Sequence, residues 1–351
     1  MNPLRVGLIG TGGMGMGHAA CIAATDKLKI VAAADPHGPS LDTFRAHEAS
    51  KVAVCLDDYR KLLALPQVEA VIIAAPDYLH VGIVLEALAA GKHVLSEKPA
   101  ATTRQDLERL EKAVTASGLV YQIGLEMRYH PLSRRLREII AAGTLGRVRM
   151  IWCKEFRGPF LSKVGQWIHF QDKTGGVFVE KTCHFFDLMT WYSDSLPRQV
   201  IASAGLDVVT DIYGIRPDVF DNGWVIVEYA NGVRACLGLC MFDRAQEGVE
   251  MGVTGDRGRA VMMIEKNTID LCEFSPLATG PLCRSEVRIV VPPEVAALSH
   301  GGPVYYELLD FAENVRAGRK PLAGLDAAKW STLVGLAAEE SARSGGVPVK
   351  L

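Results

Sequence analysis

The apolar run Val6-Gly7-Leu8-Ile9 leads into Gly10-Thr11-Gly12-Gly13-Met14-Gly15 and then a helix-forming stretch. A strand, a GxGxxG turn and a helix in that order point to a doubly wound parallel sheet that binds a dinucleotide. Glycine at 10 permits the tight turn, and at 12 it lets a pyrophosphate approach the backbone. At 15 it lets the helix pack on the strand, while the helix N-terminus offers unpaired N–H groups to phosphate. Gly10, Gly12, Gly13, Met14 and Gly15 are therefore expected to hold a cofactor. Asp35 closes the next apolar run, and no Arg immediately follows it. A carboxylate there accepts hydrogen bonds from ribose hydroxyls and repels a 2′-phosphate, so NAD is expected rather than NADP.

The first third repeats this alternation. Arg5–Gly10, Lys29–Asp35, Lys51–Leu56, Ala70–Ala75, His93–Glu97 and Val120–Leu125 are apolar at successive positions, as strands covered on both faces must be. Leu79–Ala90 reads as a helix stopped by Gly91. Thr103–Ser117 reads as one opened by a Thr with Asp three residues on and closed by Gly118. Beyond the helix Pro131–Ala142 the pattern becomes strands joined by tight turns. They are Arg147–Phe156, Arg198–Gly205, Trp224–Tyr229, Val233–Leu239, Glu247–Gly255, Gly258–Glu265, Thr268–Phe274 and Ser285–Val291. Asn231-Gly232 marks a hairpin. Short turns favour antiparallel pairing, so an α+β domain with an open, mainly antiparallel sheet is expected. The expected division is residues 1–123 and 124–351, with terminal helices Tyr305–Arg316 and Asp326–Ser344 packing back toward the first domain.

A length of 351 residues suits two domains, and 49% hydrophobic residues supply a sizeable core, which excludes disorder. The net charge of −2 leaves no electrostatic footprint for nucleic acid or an anionic membrane. No apolar run has the length of a bilayer-spanning helix. The eight cysteines show no CxxC pair or zinc spacing, so free thiols, a cytoplasmic setting and no metal are expected.

Two segments carry the chemistry. Ala89-Ala90-Gly91-Lys92-His93-Val94-Leu95-Ser96-Glu97-Lys98-Pro99 puts Lys98 at the carboxyl end of a parallel strand, the edge where such sheets bind ligands. In Gly175–Asp187, a continuous helix would place Glu180, His184, Asp187 and Trp191 on one face among apolar neighbours. Burying ionisable groups on one stripe costs several kcal/mol unless they are paired or used.

Those segments, together with Pro76-Asp77-Tyr78-Leu79-His80, Gly124-Leu125-Glu126-Met127-Arg128-Tyr129 and the spacing GG(x)₃E(x)₃H(x)₂D, resemble the Gfo/Idh/MocA oxidoreductases along essentially the whole chain. The resemblance implies NAD(P)-dependent oxidation or reduction of a sugar, inositol or related polyol by a homodimer or homotetramer. It implies that Lys98 and His184 are catalytic, with Glu180 standing where the family usually has aspartate. Pro76, His80, Glu97 and Lys98 itself would join the cofactor site, and Asp187 matches a supporting acidic position.

Hydride leaves a carbinol C–H only as the hydroxyl proton is lost, so a base must reach it. Imidazole, titrating near about 6.5, suits that role better than an amine near about 10.4. His184 is thus expected as base, with Lys98 stabilising alkoxide charge on the same oxygen; the positive nicotinamide disfavours a charged lysine nearby, so Lys98 as base stands as the alternative. Lys181, Arg128, Arg157 and Lys163 raise the expectation of an anionic group on the substrate, against the alternative of solvated surface charges. Tyr129, Trp167, His169 and His300 are further pocket candidates. Two other readings stand beside the dehydrogenase: an NAD-dependent glycoside hydrolase working by transient oxidation, elimination and re-reduction, and a catalytically idle NAD-binding sensor.

Overall fold

The computed structural model describes residues 2–245, 248–275 and 282–351, which divide by contacts into two compact units. One comprises Met1–Tyr129 with Val291–Lys329, and the other His130–Val290 with Trp330–Leu351.

The first unit is the expected Rossmann sheet. Strands β1 (Leu4–Ile9), β2 (Leu28–Ala34), β3 (Val54–Leu56), β4 (Ala70–Ile73), β5 (His93–Glu97) and β6 (Tyr121–Gly124) lie in the order β3-β2-β1-β4-β5-β6. All five pairings are parallel. Helices α1 (Gly13–Ala23), α2 (Gly38–Arg45), α3 (Tyr59–Leu63), α4 (His80–Ala89) and α5 (Arg104–Ser117) alternate with the strands. The α5 cap is as read: Thr103 accepts the Asp106 N–H, and Gly118 ends the helix in the left-handed region. The strand expected over 51–56 is shorter, because a turn in which Ala53 N–H donates to Ser50 O delays its start. Strand order reverses between β1 and β4, and ligands bind such sheets at the carboxyl ends beside that reversal.

The second unit opens with α6 (Pro131–Ala141) and β7 (Val148–Phe156), followed by α7 (Gln171–Thr174), α8 (Val177–Glu180) and α9 (Cys183–Ser193). Strands β8 (Pro197–Gly205), β9 (Asn222–Tyr229), β10 (Arg234–Cys240), β11 (Gly248–Gly255), β12 (Gly258–Met263), β13 (Thr268–Glu273) and β14 (Cys283–Arg288) follow. Glu247, the first residue of the strand expected there, lies outside the described residues. Helices α10 (Pro293–Ala296) and α11 (Pro303–Ala317) belong to the first unit. The helix α12 (Leu325–Arg343) runs from the first unit into the second, and β15 (Val349–Lys350) ends the chain.

This sheet has the order β14-β13-β12-β11-β7-β10-β9-β8-β15 and is mostly antiparallel, as expected, with one exception. β7 and β10 pair parallel, which tight turns alone cannot produce. The long crossover through α7–α9 and the β8–β9 pair supplies the connection that parallel neighbours need. One face carries the core, including Val225, Val227, Leu237, Leu239, Met251 and Val253. The opposite face leaves Met150, Trp224 and Ile226 exposed.

The continuous helix that would carry Glu180, His184, Asp187 and Trp191 is in fact two, α8 and α9, broken at Lys181-Thr182. Thr182 sits at φ −93°, ψ 1°, and its hydroxyl donates to Phe178 O at 2.8 Å, the carbonyl its own amide would bond in an unbroken helix. The side chain has replaced the backbone bond. Among the described residues no helix is long and apolar enough to cross a membrane.

Candidate active site

The three motif glycines meet three different surroundings. Gly10 has φ +90°, and a Cβ there would overlap the Ala74 carbonyl of the strand-β4 tip. Gly15 lies so close to Gly10 O that no side chain fits. Around Gly12 a Cβ would meet nothing within 4 Å, so this backbone faces open space. Gly12 also precedes the first residue of α1 with no side-chain cap, leaving amides for an anion. Gly13 is exposed and faces open space too, and Met14 is half-buried. This cradle fits the pyrophosphate of a dinucleotide.

Asp35 follows β2 directly. Its Oδ2 accepts the Thr11 N–H at 2.7 Å and the Thr11 hydroxyl at 3.1 Å, and its Oδ1 accepts the His37 N–H at 2.8 Å. The carboxylate is thereby fixed beside the glycine turn, with acceptor capacity left on Oδ1 for an outside hydroxyl.

Lys98 is the first residue past β5 and is half-buried. Its backbone N–H donates to Glu97 Oε2 at 3.3 Å, while Glu97 Oε1 lies 2.7 Å from His18 Nε2. Burial alone raises the Glu97 carboxyl, but His18 and the Lys98 charge outweigh it and hold it below its usual value. His18 is on α1, so the pair ties the glycine-motif helix to the strand that carries Lys98; neither this role of His18 nor of Glu97 was visible from spacing. His80 is buried, with Nδ1 2.9 Å from Pro99 O and Nε2 2.8 Å from Ala75 O. It bridges the Pro76 segment to the Lys98-Pro99 segment through backbone carbonyls.

Arg128 and Tyr129, expected to contact substrate, bond within the first unit. Arg128 donates to Leu322 O at 2.9 Å. The Tyr129 hydroxyl, nearly inaccessible, donates to Asp310 at 3.0 Å and accepts the Ala323 N–H at 3.2 Å. His300 is exposed in a 3₁₀ turn at φ +55°.

In the second unit Glu180, His184 and Asp187 are all buried, 6%, 6% and 2% exposed, as the stripe predicts despite the helix break. Lys181 Nζ lies 2.9 Å from Glu155 Oε1 on β7, and Arg157 approaches the same oxygen at 3.7 Å. Glu155 is a residue the sequence reading missed. It sits 26 positions from Lys181, beyond any local pattern. Trp167 is half-buried in a kinked 3₁₀ segment, and His169 is buried against Phe160 and Tyr213, whose ring lies 5.8 Å away. Among the described residues no group of three or more His, Cys, Asp or Glu is placed to hold a metal.

Residues 4–125 match the oxidoreductase family with an NAD-binding Rossmann fold, and residues 133–261 match the GFO/IDH/MocA C-terminal domain. The chain is 30% identical over 263 residues to inositol 2-dehydrogenase of Gluconacetobacter diazotrophicus, covering 73% of each. It is 24% identical to myo-inositol 2-dehydrogenase of Thermotoga maritima over 96% of each. It spans less of others: 65% of the length of the uncharacterized oxidoreductase YrbE of Bacillus subtilis, at 25% identity. It likewise spans 59% of the rhizopine catabolism protein MocA of Rhizobium meliloti, at 29% identity. In fold it is similar to a levoglucosan dehydrogenase solved with NADH and L-sorbose, with TM-score 0.87 and 20% identity over 100% of this chain and 99% of that one. On the two matched domains and these likenesses, the chain belongs to the Gfo/Idh/MocA family of oxidoreductases.

Proposed function

We propose that the protein is an NAD-dependent dehydrogenase that oxidises a carbinol of a sugar or cyclic polyol. The observation that carries this reading is the position of Lys98, directly past β5 at the carboxyl edge of the sheet where the glycine turn also opens. Bound NAD supplies the hydride acceptor. His184 takes the hydroxyl proton, and Lys98 stabilises the charge that develops on the oxygen. Glu180 and Asp187 orient the imidazole and the substrate hydroxyls.

Inositol 2-dehydrogenases and a levoglucosan dehydrogenase stand among the similar proteins, and both names denote neutral polyhydroxy substrates. Lys181 supports the same choice, because Glu155 pairs with it within the unit, at the oxygen that Arg157 also approaches. A neutral polyol is therefore the substrate proposed, with sugar acids kept in the test because four cations raised that expectation. Incubating the protein with NAD and a panel of inositols, sugars, sugar acids and glycosides, following NADH and released aglycone together, tests this. Net NADH on neutral polyols is expected. Aglycone without NADH would make it a hydrolase, and neither product with tight NAD binding would make it a sensor.

Asp35 sets the coenzyme in this reading. Asp35→Ala removes a charge-assisted acceptor, a contribution of about 1.5–3 kcal/mol, so the NAD dissociation constant should rise roughly 10–100-fold while discrimination against NADP falls. Fluorescence titration with NADH and NADPH measures both.

The enzyme is proposed to be a cytoplasmic homo-oligomer. The eight cysteines are unbridged, and burial pushes the Cys21 thiol up to about 11, so it is an inert hydrophobe. On the open face of the second sheet Trp224 lies over Gly238 and Trp152 over Gly252, where a side chain would collide with the indoles. Exposed Met150 and Ile226 extend this apolar tiling, which suits a second copy. Trp224→Glu should convert the oligomer to smaller species in light scattering coupled to size exclusion, with the fold retained by circular dichroism.

A further inference from the structure

In the second unit a buried carboxylate reaches the segment that carries His184. Glu339 on α12, 3% exposed, accepts the Phe178 N–H at 3.0 Å at the start of α8. Its carboxyl fills the space beside Gly176, at φ +106°, so that a Cβ there would overlap Glu339 unless the carboxyl moved. One turn earlier on α12, Gly335 permits close approach, since a Cβ there would come within 2.7 Å of Phe178 O.

From Phe178 the hydrogen bonds continue without a gap. Phe178 O accepts the Thr182 hydroxyl, and Thr182 O accepts the amides of Phe185 and Phe186, each at 3.0 Å. His184 sits inside that last turn. On the other side of Glu339, Arg343 Nε lies 3.6 Å away, donates through NH2 to Asp218 O at 3.3 Å and covers the Phe220 ring. Asp218 in turn accepts the Gln171 N–H at 2.6 Å. Glu339 thus ties α12 to the start of α8 beside the glycine turn, and through Arg343 and Asp218 the link extends to the β8–β9 connection and the start of α7.

We propose that Glu339 is a positioning residue for His184, acting through the Phe178–Thr182 hydrogen-bond chain. The assignment rests on the dehydrogenase reading above. A carboxylate is a stronger acceptor for the Phe178 amide than a neutral acid. Burial pushes the Glu339 carboxyl up to about 7, against the pull of the Phe178 amide and Arg343, while Asp218 adds to the rise. The hold on the His184 segment therefore strengthens as pH rises through 7. Fold stability moves the opposite way. The raised pKa gives a contribution present in full below about 4.5 and lost as pH rises through about 7.

Glu339→Leu keeps the apolar contacts and removes the acceptor, and Glu339→Gln keeps a neutral acceptor. In Glu339→Leu, kcat/KM for the polyol should fall tenfold or more, with the NADH dissociation constant within twofold of wild type. Glu339→Gln should recover most of the loss, drop one ionisation between pH 6 and 8 from its kcat/KM profile, and melt higher than wild type at pH 8 but not at pH 4. A folded Glu339→Leu protein with kcat/KM within threefold of wild type overturns the proposal. Should the Leu variant not fold, the Gln profile decides: an unchanged ionisation pattern overturns it. If wild type turns over no polyol, the dehydrogenase reading fails separately. Hydrogen exchange of residues 177–186 then judges positioning, faster exchange in the variants supporting it and unchanged exchange overturning it.

Discussion

Replacing Lys98 with Met is expected to lower kcat for polyol oxidation by about 10²–10³-fold while leaving NADH binding within a few-fold of wild type. Met matches much of the lysine stem in length and flexibility, so packing is retained and the ammonium alone is lost. What remains is a site without the fixed ammonium beside the oxygen as it gains charge, and an interaction made chiefly in the transition state lowers kcat rather than raising KM. The backbone at this position is held independently of the side chain, by the Glu97 carboxylate that accepts the Lys98 N–H and by His18 behind it. The glycine turn and Asp35 belong to other loops, which is why cofactor affinity should survive. Steady-state kinetics with a fluorescence titration of NADH separates the two effects. A large rise in the NADH dissociation constant with little change in kcat would assign Lys98 to cofactor binding instead.

The first unit was legible because its signals are local. The glycine motif is recognisable within six residues of chain, although the Ala74 carbonyl that Gly10 must avoid lies far along it, and continuous apolar runs allow little but buried parallel strands. The Thr103 cap and Gly118 stop mark α5 within a residue for the same reason. What the sequence hid was pairing over distance. Nothing near β7 announces that its partner is β10 in parallel, and nothing near Lys181 announces Glu155. The break between α8 and α9 was hidden differently. Helical spacing persists across it, while the decisive event is one hydroxyl donating to one carbonyl. Gly176 shows the mixed case: a double glycine is conspicuous, but its cause, a carboxyl from α12, lies 163 residues away.

The burial of His184 leads to the second large effect. Replacing it with Ala should cost about 10²–10⁴ in kcat/KM, the usual worth of a positioned general base. The imidazole is almost fully enclosed, and Glu180 and Asp187, on the same stretch of chain, are buried with it. A buried polar cluster of this kind is unfavourable unless its members are hydrogen-bonded or used, so the fold gains little from keeping it for packing alone. The Ala protein should therefore lose activity out of proportion to stability, with a small shift in melting temperature. A base that has been deleted can be replaced from solution, and the cavity left by the ring has room for a small one. Added imidazole should restore part of the rate, increasingly as pH rises through about 7, where the free base predominates. Rate loss without any response to imidazole, accompanied by a large fall in melting temperature, would mean that His184 holds the core and that the proton leaves by another residue.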